Sequence, residues 1–546
     1  MSREANGLVR EDGLSYQTGF GNSFESECLE GALPKGRNNP RKVPYGLYAE
    51  QLSGTAFTSP RATNRRTWMY RIQPSVVGTH HPFQQQQKHD KDNPKKEQPA
   101  YFGFSDSNNG PKVSLDPNPM RWFPMPTEES SVAQDDFVQG TKCLCQSGSP
   151  VSKSGLAIYT YAFGQDMVRR HMYNSDGDFL VVPQQGSLRI HTELGQLVVH
   201  PKEICVLPRG LVFSIHLYDP TNNTHNDTAP QEEEEKTPTT EAAAAAQQPR
   251  QGVARGYMLE VYKGHFTLPE LGPIGSNGLA NVRDFWTPTA WVGAARRADY
   301  HQPCTIVNKY GGALFGRSAP HTPYNVVAWH GNYVPFKYKL ERFCAVNSVS
   351  YDHLDPSIYT VLTCKGDGEE GTALADFVIF PPRVMATDAN TLRPPWFHRN
   401  TMTEFMGLVY GQYDAKEGGG NQRGGFQPGG ASLHPCMTPH GPDAPSYDKA
   451  IQDACQEPTK LDAGLAFMFE TNLQLYVTEY AQTCQHRDHD YAKCWSALQD
   501  TFEGWDLLLL SSHATHTHTT SSCREITTCC WTLDGHEHDA KDCSDS

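Results

Sequence analysis

The chain is poor in apolar side chains: hydrophobic residues make up 37% of its 546 positions, against about 45–50% in an ordinary globular domain. No window approaches the ~18 consecutive apolar residues of a membrane span; the strongest runs are Phe377 to Phe380 and Leu507 to Leu510. The start of the chain, Met1 to Tyr16, holds Arg3, Glu4, Arg10, Glu11 and Asp12 without an apolar segment, so it reads neither as a secretory signal nor as a transit peptide. A soluble, cytoplasmic protein without membrane contacts is the expectation. Positive charge is also scarce, with 47 Lys and Arg against 61 Asp and Glu and a net charge of −14, which argues against nucleic acid and anionic membranes as partners. The glycine-rich stretch from Gly418 to Gly430 has no Gly-Lys-Ser/Thr behind it, and no His-Glu-x-x-His helix, Gly-x-Ser-x-Gly elbow or strand-borne Gly-x-Gly-x-x-Gly occurs. Those absences weigh against hydrolase and nicotinamide chemistry. The 15 cysteines include eleven scattered before residue 500 with no short-period framework, so they read as reduced and structural.

What the chain does have is 46 Gly, 39 Pro and 23 His, the profile of a turn-rich, mainly β protein with little helix; it excludes collagen, coiled coil and wholesale disorder. At roughly 150 residues per domain the length allows three or four units, or two large β domains. Short strand signals crowd between Asp178 and Ser214, at Phe179–Val182, Leu188–His191, Leu197–Val199 and Ile204–Leu207, punctuated by Gly186, Gly195, Pro201 and Gly210. This is the rhythm of a β-sandwich or jelly roll. A second strand-rich region runs from Tyr324 to Tyr413, with strands expected at Tyr359–Thr363 and Ala373–Phe380. The organisation expected is therefore an N-terminal β domain over 1–320, a C-terminal domain over 321–500 and a low-complexity tail over 501–546. In the tail, Cys523, Cys529, Cys530 and Cys543 lie among five histidines, and their spacings match no zinc finger. Two polar stretches read as surface insertions, Gln84 to Pro99 and Asp219 to Arg255; the second holds Glu232–Glu235 and Ala242–Ala246 and cannot bury a core. Because Phe213–Leu217 and Tyr257–Tyr262 on either side both read as strands, the expectation is a strand pair with an expanded connecting loop. The best helix candidate is Tyr491–Phe502, with Tyr491, Trp495, Leu498 and Phe502 on one face, as core rather than site.

The chemistry-bearing stretch is Arg393-Pro-Pro-Trp-Phe-His398-Arg-Asn-Thr-Met-Thr-Glu404-Phe-Met-Gly407, followed by Ser432-Leu-His434-Pro-Cys-Met-Thr-Pro-His440. His398 and Glu404 are six apart, an even spacing that puts both on one face of a strand, whereas on a helix it amounts to about 240°. A bend must bring their ends together, and His440 or His434 can supply a third ligand. Two imidazoles and a carboxylate form the facial triad of non-haem Fe(II) oxygenases, and the same set binds catalytic zinc. His330, in Tyr324-Asn-Val-Val-Ala-Trp-His330-Gly-Asn-Tyr333, stands at a turn-like Gly-Asn, either as a base working near neutral pH or as a packed, turn-capping residue.

The strings around His330, His398–Glu404 and His434–His440 together resemble the homogentisate 1,2-dioxygenase family. So do Gly19-Phe-Gly-Asn22, Tyr48-Ala-Glu-Gln-Leu-Ser-Gly54, Tyr173-Asn-Ser-Asp-Gly-Asp-Phe179, Leu271-Gly-Pro-Ile-Gly275 and Asp376-Phe-Val-Ile-Phe-Pro-Pro-Arg383, over roughly Tyr16 to Trp495. The resemblance implies that His398, Glu404 and His440 hold Fe(II), that His330 is the catalytic base, and that Tyr413, His440 and His434 meet the substrate. It implies a large N-terminal β domain with a C-terminal jelly-roll, cupin-like domain, and trimers that pair into hexamers. The implied reaction joins homogentisate and O₂ to give maleylacetoacetate in tyrosine and phenylalanine breakdown. The chain departs from the family pattern in its two insertions, its tail, and Trp396 and Phe397, which stand where the family carries tyrosines. The rival readings are a zinc hydrolase on the same ligand set and a cupin-like binding protein whose histidines are structural.

Overall fold

A computed structural model describes residues 2–3, 8–36, 40–83, 101–102, 112–128, 132–219, 252–270, 278–294, 297–346, 359–368, 371–387, 391–392, 396–413, 425–452, 458–462 and 464–505. The chain divides into Met1–Ala497 and Leu498–Ser546, and everything below concerns the first unit unless stated. As composition suggested, it is mainly β with little helix.

Three layers of sheet carry the fold. The middle layer is a 12-stranded sheet that includes Ser154–Phe163, Ala254–Val261, Asp178–Gln185 and Glu203–Leu207. Strands in it are buried almost end to end, because both faces are covered. Parity along each strand decides which core a side chain joins. Tyr159, Tyr161, Phe179 and Val181 enter a core shared with Leu188, Ile190, Phe213 and Ile215 of a seven-stranded sheet. Their neighbours Leu156, Ile158, Leu180 and Leu259 enter another core, shared with Phe377, Ile379, Phe405, Phe467 and Phe469 of a second seven-stranded sheet. This second sheet runs in the order Thr360–Lys365, Ala373–Phe380, Gly464–Thr471, Thr403–Gly411, Ala431–His434, Met120–Trp122, Arg487–Asp488. Gly407 sits where it meets the middle layer: a Cβ there would lie 2.4 Å from the Phe467 ring and 3.1 Å from that of Tyr257.

Two expectations need correction, and one helix went unexpected. Phe213–Tyr218 and Ala254–Val261 are both strands, but they lie in different sheets, the first beside Ser187–Thr192 and the second between Ser154–Phe163 and Asp178–Gln185. The 219–255 segment therefore joins two layers of the sandwich instead of closing a hairpin; period-two alternation reveals a strand's faces and says nothing of its neighbours. The expected helix over Tyr491–Phe502 is a five-residue 3₁₀ stretch, Tyr491–Trp495. Its aromatic spacing reflects a ring contact between Tyr491 and Trp495, centroids 5.3 Å apart, with the Trp495 indole N–H donating to Pro442 O at 3.0 Å. The longest helix among the described residues is Ala444–Gln452, which the sequence reading passed over although Asp443-Ala-Pro-Ser446 is a helix start: the Ser446 N–H donates to Asp443 Oδ1 at 2.9 Å. Gln84–Pro99, most of 219–255 and the cysteine- and histidine-bearing tail lie outside the described residues.

Candidate metal centre

The outer face of the C-terminal sheet alternates away from the phenylalanine-rich core. On strand Thr403–Gly411, Phe405 points inward, while Glu404, Met406 and Leu408 point out. Register lines the polar residues up across four strands: Asp376 opposite Glu470, Glu470 opposite Glu404, Glu404 opposite His434. One end of that face is thus a row of buried polar side chains, and the other is an apolar cluster of Val378, Met406, Leu408, Phe426, Ala466 and Met468.

His398 and His440 form a two-residue antiparallel bridge, each backbone N–H donating to the other's carbonyl, at 2.9 and 3.1 Å. His398 is therefore not on the strand of Glu404; a bend at 399–402 separates them, as six residues of flat strand would require. Asn400 makes that bend, its Oδ1 accepting the Met402 N–H at 3.1 Å and its carbonyl the Met437 N–H at 2.7 Å. The result gathers His398, Glu404 and His440, with one ligand atom of each within 4.8 Å of the others. His440 Nε2 is 3.1 Å from Glu404 Oε2, and His398 Nε2 is 3.8 Å from Glu404 Oε1.

The donor set fits a metal ion. His398 Nδ1 faces the Trp396 carbonyl at 3.0 Å and His440 Nδ1 the Thr438 carbonyl at 2.9 Å. A carbonyl only accepts, so both Nδ1 atoms carry hydrogens, and in the neutral rings both Nε2 atoms are bare lone pairs. At His440 that lone pair confronts a carboxylate oxygen, an arrangement of two acceptors that needs a positive charge beside it. Two ligands each ~2.1 Å from one cation and at right angles to it lie ~3.0 Å apart, close to the separation found. Burial alone would raise the pKa of Glu404, yet the three histidines around it, His398, His434 and His440, hold it well below the usual value. Its ion pairs among the described residues are all with histidine. Glu470 behaves oppositely, pushed up to about 8 by burial, then by the charges of Glu404 and Asp376, and Asp376 rises to about 6 through burial. The row thus holds one carboxylate kept ionised beside two whose hold on a proton is strengthened.

His434 packs parallel on His440, ring centroids 4.2 Å apart at 7°, and its Nε2 is 2.8 Å from the Tyr491 hydroxyl. Arg121 covers the Tyr491 ring at 4.7 Å and is itself paired with buried Asp488. Tyr413 stands on the same face, against Phe380 and Phe426. Trp396 and Phe397 are 39% and 40% exposed, beside His398 in the chain. His330 is elsewhere: it ends strand Val326–Gly331 of a four-stranded sheet, its Nε2 3.2 Å from the Tyr70 hydroxyl. Burial lowers its pKa, Arg66 adding to this and Glu25 opposing it. Asn400, Glu470 and Arg121 escaped the sequence reading, and Tyr491 was expected there as core rather than site. Asn400 alone had a local signal, its place between the two candidate ligands.

Sheet architecture and cluster together define a layered, mainly β protein with a candidate mononuclear metal centre. The homogentisate 1,2-dioxygenase N-terminal profile matches residues 15–225 and 245–340, and the C-terminal profile matches 341–502. Homogentisate 1,2-dioxygenase of Dictyostelium discoideum is 47% identical over 89% of this chain and 97% of its own length; those of Mus musculus and Homo sapiens are each 46% identical over 90% and 97%. The chain belongs to the homogentisate 1,2-dioxygenase family, and it is a dioxygenase. No helix among the described residues is long and apolar enough to cross a membrane.

Proposed function

We propose that the chain holds Fe(II) with His398, Glu404 and His440 and opens the ring of homogentisate with O₂, giving maleylacetoacetate. The observation that carries this is the pair of imidazoles whose Nδ1 atoms are tied to backbone carbonyls while their Nε2 atoms converge on an ionised, buried carboxylate. Bound there, the metal supplies a shared site for a ring hydroxyl and O₂ and lifts the spin barrier between them. The protein's part is placement and proton handling. Glu404 contributes one negative charge, so a divalent cation keeps net positive charge to attract a phenolic oxygen. His434, held by Tyr491, presents a ring edge beside the cluster, and Tyr413 offers an aromatic wall with a polar tip. A phenol near the pKa ~10 of tyrosine needs a base at neutral pH; we assign that role to His330 on the family resemblance alone, since it stands on a different sheet from the cluster.

The test is to load the protein with Fe(II) anaerobically, add homogentisate, and follow O₂ uptake together with ring-cleavage absorbance. One O₂ consumed per ring opened, with both atoms of ¹⁸O₂ retained in the product, is expected. Hydrolytic turnover without O₂, or binding without turnover, overturns the reading in favour of a zinc hydrolase or a binding protein.

A further inference from the structure

We infer that Asn400 is a positioning residue that holds Glu404 by one carboxylate oxygen and leaves the other free for the metal. The inference rests on the metal-centre reading above and adds to it the way the carboxylate is fixed. Asn400 lies in the bend between the two candidate ligands, and every polar atom of its side chain is used. Its Oδ1 accepts from Met402 N–H, and its Nδ2 donates to Glu404 Oε1 at 2.9 Å and to Glu470 Oε1 at 3.2 Å. Because Oδ1 faces a donor and Nδ2 faces two carboxyl groups, the amide has one orientation consistent with its surroundings. Both Nδ2 hydrogens are therefore spoken for, and Oε1 of Glu404 has a partner before any cation arrives. Oε2 is the oxygen that faces His440 Nε2.

The consequence concerns the number of open coordination positions. A carboxylate free to rotate can grip a cation with both oxygens and use up a position that substrate or O₂ needs. With Oε1 retained by Asn400, Glu404 would give a bound cation one bond, and three protein ligands would leave room for substrate and O₂ beside it. Glu470 supports the arrangement: it sits opposite Glu404 in the strand register and its Oε1 takes the second Nδ2 hydrogen, which stops the amide from swinging away. Met437 N–H, donating to the Asn400 carbonyl, fixes the backbone beneath.

Co(II) is the probe, since its visible spectrum reports coordination number without turnover. Asn400→Ser keeps a hydroxyl able to take the Met402 N–H, so the turn is preserved, but it is too short to reach the two carboxyl groups. We expect Co(II) binding weakened about 10–100-fold, with a visible band that weakens as Glu404 closes onto the ion with both oxygens. Glu404→Ala is the reference arm. If wild-type protein takes up no Co(II), or Glu404→Ala matches it, the metal-centre reading itself falls. If wild type binds, Glu404→Ala does not, and Asn400→Ser equals wild type in both affinity and spectrum, the role of Asn400 alone is overturned. Should Asn400→Ser fail to fold, the crystal structure of the Co(II)-loaded wild type decides. Glu404 bound through Oε2 with Oε1 on Asn400 supports the inference, and two-oxygen ligation ends it.

Discussion

The two ends of this molecule solve the problem of a buried carboxylate in opposite ways. In the N-terminal sandwich, Glu260 and Asp176 are almost wholly inaccessible, and Lys309, with no exposed side-chain surface, stands between them at 2.9 and 2.7 Å. Tyr159 and Asn174 bond the rest of Glu260, and the N–H groups of Gly311 and Gly312 bond Asp176. Arg71 with Glu50 and Glu193, and Lys337 with Glu11 and Glu203, repeat the pattern. In the C-terminal sheet Glu404, Glu470 and Asp376 lie on one face, and none has an ion pair with Lys or Arg among the described residues. The first region carries its cation covalently; the second offers a donor set that fits one able to come and go. A buried charge without compensation is expensive, so the missing lysine is itself a sign of a site.

The sharpest way to break that contrast is to remove a candidate ligand and a structural cation in parallel. Each of His398, Glu404 and His440 would supply one of three protein bonds, so Glu404→Ala and His398→Ala are expected to lose iron and turnover together while the protein stays folded. Lys309→Met is expected to do the reverse, costing about 3–5 kcal/mol of stability by leaving two buried carboxyl groups unpaired, with unchanged iron per folded molecule. Metal analysis and denaturant unfolding on the same preparations check both halves. Iron at wild-type stoichiometry in the first two variants removes those residues from the ligand set.

His330 separates chemistry from metal binding. His330→Gln keeps polarity and approximate size but loses basicity, so full iron content with turnover reduced about 10²–10⁴-fold is expected. Loss of iron would make the residue a ligand or a support; wild-type turnover would pass the base's role to His434.

A smaller effect tests the N-terminal rule of paired charges through pH. Burial alone would raise the pKa of Asp178, but Arg209 Nε at 2.8 Å and His265 Nδ1 at 2.6 Å bring it down from the usual 3.8 to about 2. A depressed carboxylate stabilises the fold above its unfolded pKa, and that stability drains away as pH falls through 3.8 toward the folded value. The difference is worth ~2 kcal/mol. Wild type should therefore lose about that much more stability than Asp178→Asn between about pH 6 and about pH 2, read from denaturant midpoints; parallel losses would show that the pair contributes nothing.

Much of this was legible in the sequence because it is local. Period-two alternation with glycine and proline punctuation located Asp178–Gln185, Ser187–Thr192, Gly195–Val199, Glu203–Leu207 and Ala373–Phe380 to within a few residues. His398, Glu404 and the His434–His440 segment stood out because their residue types are unusual at that density. What stayed hidden depends on contacts between distant segments: which sheet Phe213–Tyr218 joins, the row from Asp376 to His434, and the placing of Arg121 and Asp488, 367 positions apart in the chain, beside Tyr491. Spacing could say that His398 and Glu404 need a bend, but only the fold names Asn400 as its maker.

The smallest expected effect concerns the segment between the layers. The family profile resumes at 245 after stopping at 225, so Asn226–Ala244 has no counterpart in it. Phe213–Tyr218 and Ala254–Val261 lie in different sheets, so the link must cross between layers, about 10 Å apart when sheets pack face to face. Deleting Asn226–Ala244 leaves 16 positions between Tyr218 and Ala254, and even five extended residues reach ~17 Å. Each doubling of a flexible loop's length costs only ~0.6 kcal/mol, so the deletion is expected to change unfolding free energy by less than about 1 kcal/mol and to leave metal content and turnover at wild-type levels. Loss of iron or of turnover in the deletion variant would mean that the segment contributes to the C-terminal face, and the contrast between the lysine- and arginine-paired carboxylates and the histidine-bound one would then have to be redrawn with the insertion as part of the site.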